Sequence, residues 1–147
     1  MLKGIPAILP PELMKIMMEM GHGDELLLCD GNYPKFGCPE KCVRMDGHGI
    51  PEILDAILRF FPLDPYVEHP TALMAVLPDD PYKPEIWETY REIGRRYEEN
   101  GLREQALEKP EFYARGAKCY ACVATGEGAL YANLILKKGV VKEPQKK

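Results

Sequence analysis

Gly21-His22-Gly23-Asp24-Glu25-Leu26-Leu27-Leu28-Cys29-Asp30 is the stretch on which the fold turns. Residues 25–30 read as a short strand. The run Leu26-Leu27-Leu28 is apolar at every position, the pattern of a strand covered on both faces by other layers. Upstream, Pro10-Pro11 opens a helix that runs to Met20 and stops at Gly21. Proline loses nothing in a first turn, where its missing N–H has no partner, and glycine suits the residue just past the end. Leu13, Ile16, Met17 and Met20 repeat at helical spacing and read as core. Downstream, Asp30-Gly31-Asn32-Tyr33-Pro34 reads as a loop at the carboxyl end of the strand. That is where ligands bind in open α/β sheets.

The alternation continues along the chain. A second helix starts at Pro51, buries Ile53, Leu54, Ile57, Leu58 and Phe61, and ends at Pro62. Residues 72–77 form a second covered strand. Pro84 opens a third helix with Ile86, Tyr90, Ile93 and Tyr97 on one stripe, closed by Asn100-Gly101. Residues 111–118 allow a further helical turn or two. Residues 121–125 and 133–136 read as two strands joined through Gly126-Glu127-Gly128. Helices alternating with covered strands predict a three-layer α/β/α fold with a mainly parallel sheet. Residues 1–147 form a single domain, with 141–147 as a basic, flexible tail. Lys137, Lys138, Lys142, Lys146 and Lys147 gather at this end and read as solvated.

The net charge of −4 over 147 residues argues against a dedicated nucleic-acid binder, which needs clustered basic charge. Pro6, Pro10, Pro11 and Glu12 interrupt any export-signal core. The apolar run 72–77 is far too short to cross a bilayer, so no membrane partner is expected. Five cysteines without an export signal predict a cytoplasmic protein with reduced thiols. There is no P-loop, G-x-G-x-x-G, H-E-x-x-H or G-x-S-x-G. Acid–base chemistry or binding remains.

Four constellations could carry chemistry. His22, between two glycines, is open to a ligand, and Asp24 and Asp30 are near in sequence. Imidazole gives and takes protons near neutral pH, and a carboxylate can fix its tautomer or hold a substrate hydroxyl. Tyr131 and Asn133 share a face if the segment is extended, and a phenol beside a carboxamide suits a polyhydroxyl ligand. Lys109, ahead of Phe112-Tyr113, offers an ammonium. Finally, Cys38-x3-Cys42 and Cys119-x2-Cys122, with Cys29 apart, have spacings that thiolate zinc sites use. Each has a plainer reading: a structural loop histidine, a half-buried strand start, a surface lysine, unremarkable thiols. For the cysteines the plainer reading is preferred. Cys119 and Cys122 fall at a helix-to-strand boundary without a glycine-rich knuckle, and a redox pair usually opens a helix. No metal and no cofactor are expected. His48 and His69 read as loop residues.

In combination the motifs resemble the D-ribose pyranase and L-fucose mutarotase family, more closely its fucose mutarotase branch. The matching stretches run nearly end to end. They are Leu2-Lys3-Gly4-Ile5, Pro11-Glu12-Leu13, Met20-Gly21-His22-Gly23-Asp24-Glu25, Asp30, Val43-Arg44 with Asp46-Gly47, and Ile53-Leu54 through Pro62-Leu63-Asp64. Beyond these come Phe112-Tyr113-Ala114-Arg115, Thr125-Gly126-Glu127, Tyr131-Ala132-Asn133 and Leu136-Lys137-Lys138-Gly139-Val140. The resemblance implies an isomerase that interconverts ring forms of a monosaccharide without a cofactor. It implies His22 as the catalytic histidine, Asp30, Tyr131 and Asn133 as sugar-binding residues, and Asp24 in support. Lys109 stands where the fucose branch usually has arginine and the ribose branch has lysine. Cys38 and Cys42 lie outside the family's pattern. The resemblance also implies a homo-oligomer, commonly a decamer of stacked pentamers, with sites completed by a neighbouring subunit. The alternatives are a non-catalytic sugar-binding protein on the same fold, a D-ribose pyranase-like isomerase, and a cysteine-based zinc or redox module.

Overall fold

A computed structural model describes residues 1–145. Among them, six strands form one sheet: β1 (Glu25–Cys29), β2 (Cys42–Met45), β3 (Thr71–Met74), β4 (Glu104–Leu107), β5 (Ala121–Thr125) and β6 (Leu134–Lys137). Their order is β2-β5-β1-β6-β3-β4. β6 alone is reversed, antiparallel to both β1 and β3, and every other pairing is parallel. Four helices are α1 (Pro11–Glu19), α2 (Ile50–Leu58), α3 (Glu85–Tyr97) and α4 (Lys109–Ala117).

The period of two along each strand divides the core into two layers. Leu26 and Leu28 of β1, with Val43, Leu73, Val123, Leu134 and Leu136, pack against Leu13, Ile16 and Met17 of α1, Ile53, Leu54 and Ile57 of α2, and Tyr90 and Ile93 of α3. Leu27 and Cys29, with Ala72, Met74, Cys122 and Ile135, pack against Phe112 of α4 and Tyr33. The fold is therefore α/β/α, with three helices on one face and α4 on the other.

Differences from the sequence reading have physical causes. β2 and β4 were not expected. Both are edge strands, and their sequences, Cys-Val-Arg-Met and Glu-Gln-Ala-Leu, lack the continuous apolar run that marks a covered strand. β3 ends at Met74 rather than residue 77, and its chain then leaves the sheet toward Tyr131. The strands around Gly126-Glu127-Gly128 do not pair; they flank β1 on opposite sides. Gly126 is required there, because a Cβ would overlap the Asp46 carbonyl oxygen. Lys137 and Lys138 are not part of a solvated tail: Lys137 ends β6, and Lys138 Nζ donates to the carbonyls of Met17 and Met20 at the end of α1. There its charge also meets the negative end of the helix dipole. Lys146 and Lys147 lie outside the described residues. Trp87 and Tyr90 face inward: Trp87 Nε1 donates to the Tyr131 carbonyl at 2.7 Å and Tyr90 Oη to the Ala132 carbonyl at 2.7 Å.

Candidate functional site

The reversal of β6 places its first residues at the same edge of the sheet as the carboxyl ends of β1, β3 and β4. A cleft of about 320 Å³ opens there, lined by Asp30, Asn32, Tyr33, Asp80, Lys109, Tyr113, Tyr131 and Asn133 among others. Small-molecule sites run upward from about 300 Å³, so the cleft holds one small polar ligand. It brings together Asp30, Lys109, Tyr131 and Asn133, four of the residues singled out in the sequence.

Each is set by its neighbours. The Asp30 backbone N–H donates to Asn133 Oδ1 at 2.7 Å, joining β1 to the start of β6. That occupies the Asn133 carbonyl, and its amide N–H groups remain as donors on the side of the Asp30 carboxyl. Asp30 Oδ1 accepts from the Asn32 N–H at 2.9 Å. Burial, reinforced by the nearby Glu127 charge, pushes the Asp30 carboxyl above the usual carboxylate range, against the pull of Asn32 and Asn133. Tyr131 is not extended; its φ of 57° is left-handed. The Trp87 and Tyr90 bonds to the Tyr131 and Ala132 carbonyls hold this turn from beneath. Tyr131 Oη donates to Asp80 at 2.6 Å, which pushes the phenol's pKa up and holds Asp80 down. Tyr82 stacks on Tyr131 with centroids 6.0 Å apart. Lys109 begins α4, exposed, with Nζ 5.8 Å from the Tyr113 ring centroid.

His22 is elsewhere. It precedes β1, whereas Asp30 follows it, so the length of the strand, about 17 Å for five residues, separates them. Neither Asp24 nor Asp30 meets the imidazole. Asp24 instead shapes the turn: its Oδ2 accepts from the Gly21 N–H at 2.7 Å. Gly23 takes a φ of 89° and donates to the Lys138 carbonyl. The carboxylate that meets His22 is Asp64, with Nε2 3.1 Å from Oδ1. Asp64 is buried and His22 half-exposed. Burial pushes the Asp64 carboxyl up, but the Tyr66 N–H and the His22 ring outweigh it and hold it below the usual range. An ionised carboxylate only accepts, so Nε2 carries the hydrogen and Nδ1 is the nitrogen turned away from Asp64. Tyr66 meets the imidazole edge-on at 5.5 Å.

Asp64, Asp80 and Tyr82 were not singled out from sequence. Asp64 lies 42 residues from His22, and Asp80 lies 51 from Tyr131. Only the matching stretch Pro62-Leu63-Asp64 pointed to either. His48 bonds Glu52 at the start of α2, and His69 bonds the Arg103 carbonyl; neither lines the cleft. Among the described residues, no helix is long and apolar enough to cross a membrane.

Comparison with known proteins places this geometry. Residues 3–141 match the model of the RbsD / FucU transport protein family. The fucose mutarotase of Homo sapiens is 47% identical, over 95% of this chain and 94% of its own. The L-fucose mutarotase of Actinobacillus pleuropneumoniae serotype 5b is 41% identical, over 95% and 97%. The crystal structure of the fucose mutarotase from Streptococcus pneumoniae in complex with L-fucose superposes with a TM-score of 0.90, at 49% identity, covering 96% of this chain and 100% of that one.

Proposed function

The chain belongs to the RbsD/FucU family, and on that premise we propose that it is a carbohydrate isomerase, a mutarotase interconverting the α and β anomers of L-fucose. The observation that carries the reading is the polar cleft at the carboxyl edge of the sheet, where Asp30, Lys109, Tyr131 and Asn133 converge. The substrate comes from the relatives, all three of which are named for fucose and one of which holds L-fucose.

Exchange of anomers needs the ring to open and close on the other face of the carbonyl. One proton goes to the ring oxygen as its bond to the anomeric carbon breaks. Another leaves the anomeric hydroxyl as that carbon becomes a carbonyl. Closure reverses both transfers. His22 Nδ1, as imidazolium, is the donor to the ring oxygen, and Asp64 steadies the charge on the ring. Asp30 suits the second transfer, because its raised pKa brings it nearer to working pH as a base. The Tyr131 proton is committed to Asp80, so its oxygen offers a lone pair to a sugar hydroxyl.

His22 cannot reach the cleft of its own subunit. We therefore assign it to the cleft of a neighbouring one, in a cytoplasmic homo-oligomer that the resemblance makes a decamer. Self-association has an apolar face available. Met18 and Leu2 are exposed and line a groove of about 750 Å³ beside α1, the helix that leads to His22.

Saturation-difference NMR on L-fucose, D-ribose, D-galactose and D-glucose tests the reading. Anomer exchange above background, fastest on L-fucose, is expected. Lys109 favours D-ribose as the second sugar, since lysine at this place belongs to the ribose branch. Saturable fucose binding without exchange would make the protein a sugar binder instead.

A further inference from the structure

The face of the sheet opposite α1, α2 and α3 gathers four thiols that the proposed reaction does not use. The Sγ atoms of Cys29, Cys38 and Cys122 lie within 4.8 Å of one another, with Cys29 and Cys38 at 4.0 Å. None of the five cysteines is in a disulfide. The convergence follows from register. Cys122 sits opposite Leu27 on β1 and opposite Cys42 on β2. Cys29, two residues beyond Leu27, therefore points from the same face. Cys38 arrives from the loop after β1, just past the 3-10 turn Lys35–Gly37. Cys119, near in sequence to Cys122, is outside the cluster and bonds the Arg115 carbonyl.

We propose that Cys29, Cys38, Cys122 and Cys42 form a thiolate site for a thiophilic d¹⁰ cation, of which Zn²⁺ is the representative. A tetrahedral site with Zn–S bonds of about 2.3 Å has sulfurs about 3.8 Å apart. The three thiols need to close by about an ångström at most. Cys42 and Cys38 are half-exposed, so the cation has a way in, while Cys29 and Cys122 are buried and shield the inner side. Four sulfurs with no oxygen donor among them select zinc or copper(I) over magnesium or calcium. Binding releases the thiol protons as the sulfurs coordinate.

The site brackets a loop that lines the cleft. Asp30, Asn32 and Tyr33 all lie between Cys29 and Cys38, so a bound cation would clip both ends of the loop that carries them.

The test uses full-length protein, chelator-stripped and reduced, titrated with Zn²⁺ against a chromophoric chelator. One equivalent is expected to bind. Co²⁺ in its place is expected to show the intense visible bands of a tetrahedral thiolate site. Even outer partners of metal ligands are worth roughly 10–100-fold in affinity, so C38S should weaken zinc more than tenfold. Cys38 sits on a loop, and circular dichroism confirms folding. C119S is expected to bind as the parent does. Zinc should also slow amide exchange in residues 30–37. Less than one equivalent in the reduced parent, or equal losses in C38S and C119S, overturns the site. Neither result depends on sugar exchange, so failure here leaves the mutarotase reading untouched.

Discussion

His22 is exposed enough to meet a ligand, yet its orientation is determined by a buried partner. H22A should therefore leave the fold intact and lower L-fucose exchange by about 10²–10⁴-fold, the range that general acid–base help supplies. Parent-like exchange would remove His22 from the chemistry. D64N keeps the shape of Asp64 but loses its charge, and its amide can present a hydrogen to Nε2 and reverse the tautomer. As a positioning residue, Asp64 should affect turnover by at least about tenfold with little change in KM. A change in KM alone would contradict the role. Asp30 tests the other half of the site. Its folded pKa is raised by burial and by Glu127, so the folded state binds that proton more tightly than the unfolded chain. The stability this adds is present at low pH and is lost as pH rises from about 3.9 through the raised value. D30N removes the buried charge. It should lose sugar affinity yet gain melting temperature relative to the parent as pH rises toward neutrality, followed by thermal denaturation across that range. A variant that melts lower at neutral pH would show that the carboxylate stabilises the fold.

Elements whose ends are punctuated were legible; those defined only by their neighbours were not. Pro11 and Pro51 open α1 and α2, and the covered Leu26-Leu27-Leu28 run marks β1. β2 and β4 are short edges whose pairing, not composition, makes them strands. The direction of β6 has no local signature either, although it delivers Tyr131 and Asn133 to Asp30. Those cleft residues were recognised by chemical type while their geometry was not, since Tyr131 sits in a left-handed turn rather than a strand. The packing of α4 on the loop after β1 is equally non-local, and it hinges on Gly116. A Cβ there would overlap Tyr33 Oη and lie 2.8 Å from the Gly37 carbonyl. G116A must push the helix from the loop. Overpacking of this kind destabilises by about 1–3 kcal/mol, measurable by urea denaturation, and the displaced Tyr33 should weaken sugar binding as well. Unchanged stability would mean that the loop yields without strain.

At the scale of the molecule, the sheet separates the His22–Asp64 pair from the cleft. The amino end of β1 carries His22 and Asp64, tied together by the last residues of β6: Gly23 donates to the Lys138 carbonyl and Asp64 to that of Lys137. The carboxyl end carries the cleft. His22 and Asp30 are only eight positions apart in sequence, which made them look like one site; the rise of a strand makes them two. A head-to-tail contact between copies, unlike a two-fold one, can present the histidine end of one subunit to the cleft of the next and close into a ring. This has a consequence that a single-subunit site lacks. H22A and D30N subunits each have one damaged half, so each alone should be inactive. Mixed after dissociation and reassembled, an intact cleft from H22A meets an intact histidine from D30N at about a quarter of the junctions of a random ring. Exchange on L-fucose should recover to roughly that fraction of the parent rate. Mixing without dissociation should recover none, which separates subunit exchange from contamination. If reassembled mixtures confirmed by native mass spectrometry stay inactive, His22 and Asp30 must act within the same subunit or not at all.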